Sequence, residues 1–514
     1  MKPAMKPPRE LKKLVTLVNV RRVYSVLFFA LFLILLYITN FRHLKGYETP
    51  LFLELDPLVA FAAFFTSFTV YKGLALSLLI IIPTIFFGRF FCSWVCPFGI
   101  LNQWISHLFN KRRAVDDYKT NAYRDLYRVK YYILAALVVL ALFGALQVGL
   151  FDPIALLTRS FTIGIYPAAN YISGGIYIKQ PLFIGGVLVS VIFLLILAAN
   201  RFITRFWCRV LCPLGAFMGV LSMASVLRIR RDVDKCTDCQ RCLRYCHGGC
   251  EPHGQLRYSE CHLCMTCVEE CPEGAIHYGL SREASSVHRP VDVNRRRLIE
   301  TVVGAAVLFP MMRSSVNGKN LPQNGLIRPP GSIDEDDFLR RCIKCGQCMR
   351  VCPTNVIQPA LFEGGLEGLW SPVLHNKIGY CEYNCVLCGH VCPTGAIMPL
   401  TVEKKIGKKP DIKPTKIGTA FYDHGRCLPW SMNVDCIVCE EVCPTSPKAI
   451  WFKEEELILR DGTVRKFKRP IVDTQLCVGC GICENKCPVH DKPAIRVTPI
   501  GETRSKTNRM ILKG

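Results

Sequence analysis

The sequence predicts an all-α membrane bundle of four spans, built as a parallel internal repeat with a candidate fifth span, joined to small cysteine-rich α+β domains. Three observations predict it: four long apolar segments, a motif that occurs twice among them, and 29 cysteines in regular groups. The chain has 514 residues, of which 50% are hydrophobic and 20% charged. This composition excludes a disordered chain, and the length excludes a small disulfide-stapled domain.

The four apolar segments lie at about Val23–Asn40, Lys72–Phe91, Tyr131–Phe151 and Leu182–Asn200. Each approaches the roughly 20 residues that a helix needs to cross a bilayer. A buried core helix would explain one such segment, but four in succession favour membrane spans. The net charge of +24 is concentrated beside these segments. A nucleic-acid-binding protein would instead gather its basic residues on one face, so we predict no nucleic-acid partner.

The basic residues also predict the orientation of the spans. Lys and Arg are dense in residues 2–22 and 111–130 but sparse in the two other connections. Because basic loops stay on the cytoplasmic side, the N-terminus and the ends of the second and fourth spans are expected there. We therefore predict a protein of the bacterial inner membrane, in contact with membrane lipid.

The membrane region is duplicated. Leu55-Asp56-Pro57 resembles Phe151-Asp152-Pro153, and a second motif also occurs twice. That motif is an Arg-Phe pair followed by Cys-x3-Cys-Pro, once at Arg89 to Pro97 and once at Arg205 to Pro213. Since both copies run in the same direction through the membrane, they predict a parallel repeat with its axis along the membrane normal.

Beyond the spans, the composition changes and suggests further domains. We predict a membrane domain at 1–227, a cytoplasmic cysteine-rich domain at 228–290, a segment and linker at 291–335, and a second cysteine-rich domain at 336–514. The segment opens with Arg295-Arg296 and continues into an apolar run, which is similar to a twin-arginine export signal. An interfacial or stop-transfer helix is the alternative. Export would place the last domain in the periplasm.

Six cysteine quartets account for 24 of the 29 cysteines. In chain order, the quartets are Cys236, Cys239, Cys242 and Cys246; Cys261, Cys264, Cys267 and Cys271; Cys342, Cys345, Cys348 and Cys352; Cys381, Cys385, Cys388 and Cys392; Cys427, Cys436, Cys439 and Cys443; and Cys477, Cys480, Cys483 and Cys487.

The spacing Cys-x2-Cys-x2-Cys-x3-Cys-Pro is typical of proteins with paired [4Fe–4S] clusters. Three thiolates on one loop hold one cluster, and the fourth reaches the neighbouring cluster. We therefore predict six [4Fe–4S] clusters in bacterial-ferredoxin-like domains. Tetrahedral zinc is the alternative, but four of the six quartets carry the uninterrupted triple spacing, which zinc sites rarely use.

Several ligand assignments stay open. Crossing in the first pair implies Cys236, Cys239 and Cys242 with Cys271, and the second triplet with Cys246, but Cys250 lies nearby and competes with Cys246. Adjacent and nested pairing of the last four quartets cannot be distinguished. Cys381 and Cys427 are the least certain ligands, because longer intervals follow them.

Two further groups are candidates for chemistry. Cys92, Cys96, Cys208 and Cys212 come together if the repeat is symmetric, and could bind a further metal or cluster, exchange electrons as thiols, or simply pack. Asp56 and Asp152 recur at the predicted outer membrane edge, where a carboxylate is costly. They are candidate catalytic proton acceptors, although each is equally well explained as the cap of a helix that starts at an Asp-Pro pair.

On these residues the chain resembles the ferredoxin-type membrane quinol dehydrogenases of the periplasmic nitrate reductase system. Residues 1–290 resemble the four-span, NapH-like member, and residues 291–514 resemble the exported, NapG-like four-cluster ferredoxin. The resemblance implies a fused quinol dehydrogenase-type oxidoreductase of anaerobic respiration. It would oxidise menaquinol or ubiquinol as substrate and pass electrons to a periplasmic c-type cytochrome or terminal reductase.

Two other functions remain compatible with the sequence. One is a conduit that carries electrons from a soluble ferredoxin to the periplasm, and the other is a copper-handling assembly factor that binds copper at the Cys-x3-Cys-Pro motifs. The sequence leaves open the direction of electron flow, the quinone type and the oligomeric state.

Overall fold

The computed structural model describes residues 16–508, apart from 45, 48, 70, 111–120, 173–181, 255, 281–289, 315–325, 409–410, 459–461, 490 and 506–507. The basic residues predicted at 2–13 and 111–119 therefore lie outside the described residues, as does most of the predicted linker. The described α-helices are α1 Leu17–Ile38, α2 Leu51–Glu54, α3 Pro57–Ser67, α4 Lys72–Phe87, α5 Phe91–Trp94, α6 Pro97–Asn110, α7 Val129–Leu142, α8 Val148–Phe151, α9 Pro153–Ser160, α10 Tyr166–Ile172, α11 Gly186–Ala198, α12 Pro213–Leu221, α13 Arg241–Arg244, α14 Thr266–Glu269, α15 Arg295–Ser314, α16 Glu335–Arg341, α17 Gln347–Val351, α18 Leu387–His390, α19 Val402–Ile406, α20 Val438–Glu441 and α21 Ile482–Lys486.

Four two-stranded antiparallel sheets accompany these helices in the described residues. The strands are β1 Leu227–Arg231, β2 Ile276–Leu280, β3 Ile357–Pro359, β4 Pro372–Leu374, β5 Thr419–Tyr422, β6 Ile450–Ile458, β7 Val464–Val472 and β8 Ile495–Thr498. The pairs are β1 with β2, β3 with β4, β5 with β8, and β6 with β7. Small sheets and short helices around cysteine loops fit the α+β architecture that the sequence predicts for its cysteine-rich regions.

The chain forms two compact units, each assembled from separate segments. Unit 1 contains Met1–Leu33, Leu79–Ile133 and Ile196–Asn294, and unit 2 contains Ile34–Leu78, Leu134–Leu195 and Arg295–Gly514. The chain therefore passes from one unit to the other five times. Four of these passages fall inside α1, α4, α7 and α11, and the fifth falls at the start of α15.

The duplicated motifs form the same elements twice. Asp56 precedes α3 and accepts hydrogen bonds from the backbone N–H groups of Leu58 and Val59, at 2.8 and 3.1 Å. Asp152 precedes α9 and accepts bonds from Ile154 and Ala155, at 2.9 and 2.8 Å. Each side chain satisfies N–H groups that a helix leaves unpaired at its start. The helix-cap interpretation of both aspartates is therefore correct.

Only α1, among the described helices, is long and apolar enough to cross a bilayer by itself, and near the N-terminus a signal sequence would pass the same test. The second, third and fourth predicted spans form helices of 16, 14 and 13 residues. Gly88 and Gly144, with φ of 88° and 89°, follow the ends of α4 and α7. Glycine adopts this left-handed backbone readily and commonly ends a helix, which shortens these helices relative to the apolar segments. The candidate fifth span, α15, has 20 residues but begins with three arginines.

Candidate redox sites

The structure gathers the thiols of the six quartets into six groups, and each group takes three cysteines from one quartet and the fourth from its neighbour. Four groups line cavities directly, and the other two are recognised by the electrostatic contacts of their thiols. We name them site A (Cys236, Cys239, Cys242, Cys271), site B (Cys261, Cys264, Cys267, Cys246), site C (Cys342, Cys345, Cys348, Cys392), site D (Cys381, Cys385, Cys388, Cys352), site E (Cys427, Cys436, Cys439, Cys487) and site F (Cys477, Cys480, Cys483, Cys443).

This grouping bears on the alternatives that the sequence left open. Quartets that are adjacent in the chain exchange their fourth cysteines, so the last four quartets pair as neighbours and are not nested. Cys381 and Cys427, the two least certain ligands, line the cavities of sites D and E with the other members of their groups. The longer interval after Cys427 is taken up by a helical turn at Leu428–Met432.

The cavities of sites A, C, D and E have the lining that an iron–sulfur cluster requires. Each is lined by four cysteines with apolar neighbours. In the described parts of the chain, no three His, Cys, Asp or Glu side chains come close enough to bind one ion together. Thiols arranged around such a cavity suit an iron–sulfur cube better than a single zinc, whose bonds to sulfur are about 2.3 Å long.

The cysteine loops share an unusual backbone. In sites A, B, C and F, the residues directly before and after the middle cysteine both have positive φ, for example Lys344 at 57° and Gly346 at 82° around Cys345. This conformation curls the loop around its cavity, and these are the four loops with the uninterrupted triple spacing. In site F both positions are glycines, Gly479 and Gly481, and a Cβ on Gly481 would lie 2.4 Å from the Asn376 side chain.

Backbone N–H groups point at the sulfurs and favour a negatively charged cluster. The N–H groups of Lys344 and Gln347 donate to the sulfurs of Cys342 and Cys345. Burial nevertheless raises the pKa of Cys345 to about 12, so the thiolate form needs a further source of positive charge. Bound iron supplies that charge, and the donor set therefore fits the group that the spacing predicts.

Cys246 and Cys250 occupy the same corner of site B. Their sulfurs are 3.3 Å apart, and the hydrogen bond from Cys250 lowers the pKa of Cys246 to about 6. The same bond raises the pKa of Cys250 well above its ordinary value. The pair thus consists of a thiolate at Cys246 and a thiol donor at Cys250, which makes Cys246 the better candidate ligand.

Contacts between groups give the sites an order. In unit 2, Cys348 of site C lies within electrostatic reach of Cys388 of site D. The backbone N–H of Cys381 in site D donates to the carbonyl of Cys480 in site F at 2.8 Å. Cys483 of site F is in turn close to Cys439 of site E. The order in unit 2 is therefore C, D, F, E.

Unit 1 contains the other groups. Cys267 of site B and Cys242 of site A are within electrostatic reach of each other. The four thiols of the Cys-x3-Cys-Pro motifs also meet in this unit, because Cys212 interacts electrostatically with Cys92, Cys96 and Cys208. Their proximity, which the repeat predicts, is therefore present. Burial raises the pKa of Cys212 well above its ordinary value, and the neighbouring thiols add to the increase.

Two arginines at equivalent positions of the repeat lie beside these four thiols, and the sequence analysis predicted no role for them. Arg89 donates from Nε to the Cys92 sulfur at 3.1 Å and from Nη1 to the Ser259 carbonyl at 3.1 Å, beside site B. Arg205 donates from Nη2 to the carbonyls of Cys92 and Gly99, at 2.8 and 3.2 Å. Both are buried. Their recurrence before each Cys-x3-Cys-Pro motif was the signal that could have identified them.

A buried ion pair in unit 1 was also missed. Lys130 bonds to Glu260, and the Tyr131 hydroxyl donates to the other carboxylate oxygen of Glu260 at 2.9 Å. The sequence reading used Lys130 only as one of the basic residues that set the orientation. The side chain is fully buried, so its charge is paired within the protein and is not displayed to solvent.

Asp56 and Asp152 meet in unit 2. Both side chains are fully buried, and the two carboxyl groups are within electrostatic reach of each other. Burial raises the pKa of Asp56 well above its ordinary value, and the charge of Asp152 raises it further. On the other side of Asp152 lies Arg159, whose guanidinium donates to the Lys344 carbonyl in the loop of site C at 3.2 Å. The carboxyl pair is therefore close to site C.

Comparisons with known proteins agree with this chemistry. Models described as a 4Fe-4S binding domain match residues 69–115, 185–232 and 386–411, and residues 470–490. Models described as a 4Fe-4S dicluster domain match residues 260–357 and 341–396. The first of these dicluster matches extends across Asn294, where the chain passes from unit 1 to unit 2. No solved structure matches the chain.

Curated relatives are ferredoxin-type proteins. The methylamine utilization ferredoxin-type protein MauM of Methylorubrum extorquens is 32% identical over 217 residues, which are 41% of this chain and 91% of that protein. The ferredoxin-type protein NapG of Escherichia coli is 34% identical over 34% of this chain and 71% of its own length. YccM of Escherichia coli is 33% identical over 40% of this chain, and the match spans only 55% of YccM.

Proposed function

The chain belongs to the ferredoxin-type electron-transport proteins with 4Fe-4S domains, and from that premise we propose that it is a membrane quinol dehydrogenase-type oxidoreductase. In this proposal a NapH-like membrane polyferredoxin is fused to a NapG-like ferredoxin. Menaquinol or ubiquinol is oxidised within unit 2, and electrons leave through its iron–sulfur sites to a periplasmic c-type cytochrome or terminal reductase.

Sites A to F each hold one [4Fe–4S] cluster in this proposal, with the 24 quartet cysteines as ligands. The cavities, the inward N–H groups and the exchanged fourth cysteines support this assignment. The four thiols of Cys92, Cys96, Cys208 and Cys212 hold a further centre. Two arginines beside them supply positive charge, which buried thiolates need.

The membrane assignment is supported by the pattern of exposure and by the path of the chain. Side chains on α1, α4 and α11 expose large apolar surfaces, including Leu27 at 60%, Leu79 at 63% and Leu194 at 64%. Such surface suits lipid better than water. The five passages between the units fall where the four spans and the candidate fifth span are proposed. In this proposal residues 228–290 are cytoplasmic and residues 336–514 are periplasmic.

One observation carries the proposal of quinol oxidation: a buried carboxyl pair adjoins the first of four connected cluster sites. Quinol releases two protons and two electrons, so its site needs a proton acceptor beside an electron acceptor. Asp56 and Asp152 provide the first, and Arg159 lies between Asp152 and site C. The clusters supply one-electron acceptance when bound. The chain's own residues exclude water, hold the proton, and fix the distance to site C.

Anaerobic titration of the purified full-length protein with a menaquinol analogue tests this function. We expect the clusters of unit 2 to be reduced, and chemical analysis to find about 24 iron atoms per chain from six clusters of four. The Asp56→Asn and Asp152→Asn variants should retain their iron but oxidise quinol at least about tenfold more slowly, as expected for loss of a proton acceptor. Unreduced clusters after addition of quinol would refute the proposal.

A ferredoxin-driven conduit is the second candidate, because site A is open to solvent. Cys239 is exposed, whereas the other triplet cysteines of the described sites are buried or half-buried. A soluble electron donor could therefore approach site A. Reduced ferredoxin would reduce the clusters and a quinol analogue would not, which is the reverse of the result expected above.

A further inference from the structure

Asp56 and Asp152 make equivalent hydrogen bonds to their own helices, but the charged residues around the two side chains differ. Asp56 and Asp152 cap equivalent helices of the repeat, and each uses one oxygen for two backbone N–H groups. The other two oxygens, Oδ2 of Asp56 and Oδ1 of Asp152, are fully buried and have no N–H or O–H donor in the described residues. The two carboxyl groups lie within electrostatic reach of each other.

Two ionised carboxylates cannot hydrogen-bond to each other and would leave both buried oxygens unpaired, since both groups are acceptors only. One proton between them turns one group into a donor, satisfies both remaining oxygens, and leaves a single negative charge in the buried pair. A second negative charge so close to the first would be strongly disfavoured in this buried setting.

We propose that Asp56 and Asp152 form one acid–carboxylate pair that holds a single shared proton and takes up one of the two protons released by quinol. This inference rests on the proposed function. Oxidation of one quinol yields one quinone, two protons and two electrons. One proton converts the pair to two neutral acids, the second passes to the surrounding water, and the two electrons leave singly toward the iron–sulfur sites C and D.

The neighbours of the pair decide where the resting proton lies. Tyr71 is within electrostatic reach of Asp56. Arg159 faces Asp152 and favours its ionised form. The residue equivalent to Arg159 in the first copy of the repeat is Ala63, so the positive charge is present on one side only. The resting proton is therefore assigned to Asp56 and the charge to Asp152.

Infrared difference spectroscopy of the full-length holoprotein tests the sharing of the proton. The wild-type protein should show one protonated carboxyl group in this region, and menaquinol should raise the signal to two. Asn keeps the capping oxygen, so Asp56→Asn and Asp152→Asn should both fold and retain iron. Each single variant should lose the whole signal, because the remaining aspartate no longer faces a second carboxylate and carries the single negative charge itself.

Asp334→Asn is the matched control. Asp334 also caps a helix, α16 near site C, but it is exposed and pairs with no second carboxyl, so this variant should keep the signal. Half of the signal remaining in each single variant would show two independent acids and overturn the inference, as would a wild-type protein without the signal. A resting signal with no reduction by quinol would instead refute the proposed function while the shared proton stands.

Kinetics give a second readout. If the two aspartates act as one unit, the Asp56→Asn/Asp152→Asn double variant should oxidise quinol no more slowly than either single variant. Multiplied losses in the double variant would contradict a single shared proton.

Discussion

At the scale of single residues, the positive charges beside the thiols set the properties of each site. Lys405 is the clearest case: its Nζ donates to the Cys381 sulfur at 3.2 Å and to the carbonyls of Glu382 and Cys385, both at 2.6 Å. The side chain is only 7% exposed, so solvent screens its charge weakly. A reduced cluster carries one more negative charge than an oxidised one, and Lys405 therefore favours the reduced state of site D.

Replacing Lys405 with alanine should lower the midpoint potential of the site D cluster. A hydrogen bond from a charged group is worth about 1.5–3 kcal/mol, which corresponds to about 60–130 mV for one electron. Redox titration followed by electron paramagnetic resonance measures the shift. Lys404→Ala, on the same helix but exposed, is the control and should leave the potential unchanged. An equal shift in both variants would mean that the contact with Cys381 is irrelevant.

Cys246 and Cys250 of site B are expected to differ in whether they bind the cluster. The hydrogen bond with Cys250 lowers the pKa of Cys246 and so favours its thiolate form. Cys246→Ser should lose about four iron atoms per chain, one cluster. Cys250→Ser should keep them, because a serine hydroxyl can still donate. Iron and sulfide analysis of both variants decides the matter, and loss of iron in Cys250→Ser alone would reverse the assignment.

At the scale of elements, long-range ion pairs hold the short helices in place, because helices of five to seven residues are not stable alone. Helix α16, which leads into Cys342, is fixed through Glu335. Its carboxylate accepts bonds from Arg328 at 2.5 Å and from Arg504 at 2.7 Å. Burial by itself would raise the pKa of Glu335, but the two arginines outweigh it and hold the pKa at about 2.

This depressed pKa predicts a stability that depends on pH. The stabilisation from Glu335 is complete above its ordinary pKa of about 4.5 and is lost as the pH falls toward 2, with a total of about 3 kcal/mol. Glu335→Gln should therefore lower the melting temperature by the same amount at pH 8 and pH 6, and by less below about pH 4.5. Calorimetry of the variant and the wild type measures the difference.

The matched control for Glu335 is Glu456→Gln in the β6–β7 hairpin. Its partner is Lys466, and both side chains are more than 60% exposed. An exposed ion pair contributes roughly 0–1 kcal/mol, so the control should barely change the melting temperature. A pH-independent effect of Glu335→Gln would show that packing, and not charge, holds α16.

At the scale of the whole molecule, the proposed topology has the two cysteine-rich domains on opposite sides of the membrane. The basic residues predict that residues 228–290 are cytoplasmic, and the Arg295-Arg296 segment predicts that residues 336–514 are periplasmic. Reporter fusions test this assignment. A reporter active only in the periplasm should be active after residue 508 and inactive after residue 290. Activity of both fusions, or of neither, would contradict the proposed topology.

The sequence alone determined the thiol triplets, the duplicated motifs and the capping aspartates, because each depends on residues close together in the chain. The spacing also predicted that Cys271 joins the first triplet, whereas it left Cys246 and Cys250 as alternatives for the second. Helix length did not follow from hydropathy, since Gly88 and Gly144 end their helices before the apolar segments end. The recurrence of Arg89 in the repeat marks it as a candidate, but its contact with Ser259 and the pairing of Lys130 with Glu260 were not predictable, because these partners are more than a hundred residues away.

Only the tertiary structure decided how these local groups are connected. The neighbour pairing of the last four quartets, the contact from site D to site F, and the meeting of Asp56 with Asp152 all join residues that are far apart in the chain. Local spacing determines which three thiols lie on one loop. Burial and long-range packing determine which other loop supplies the fourth thiol of each site. The ligand chemistry of each site could therefore be predicted from the sequence, but the order of the sites could not.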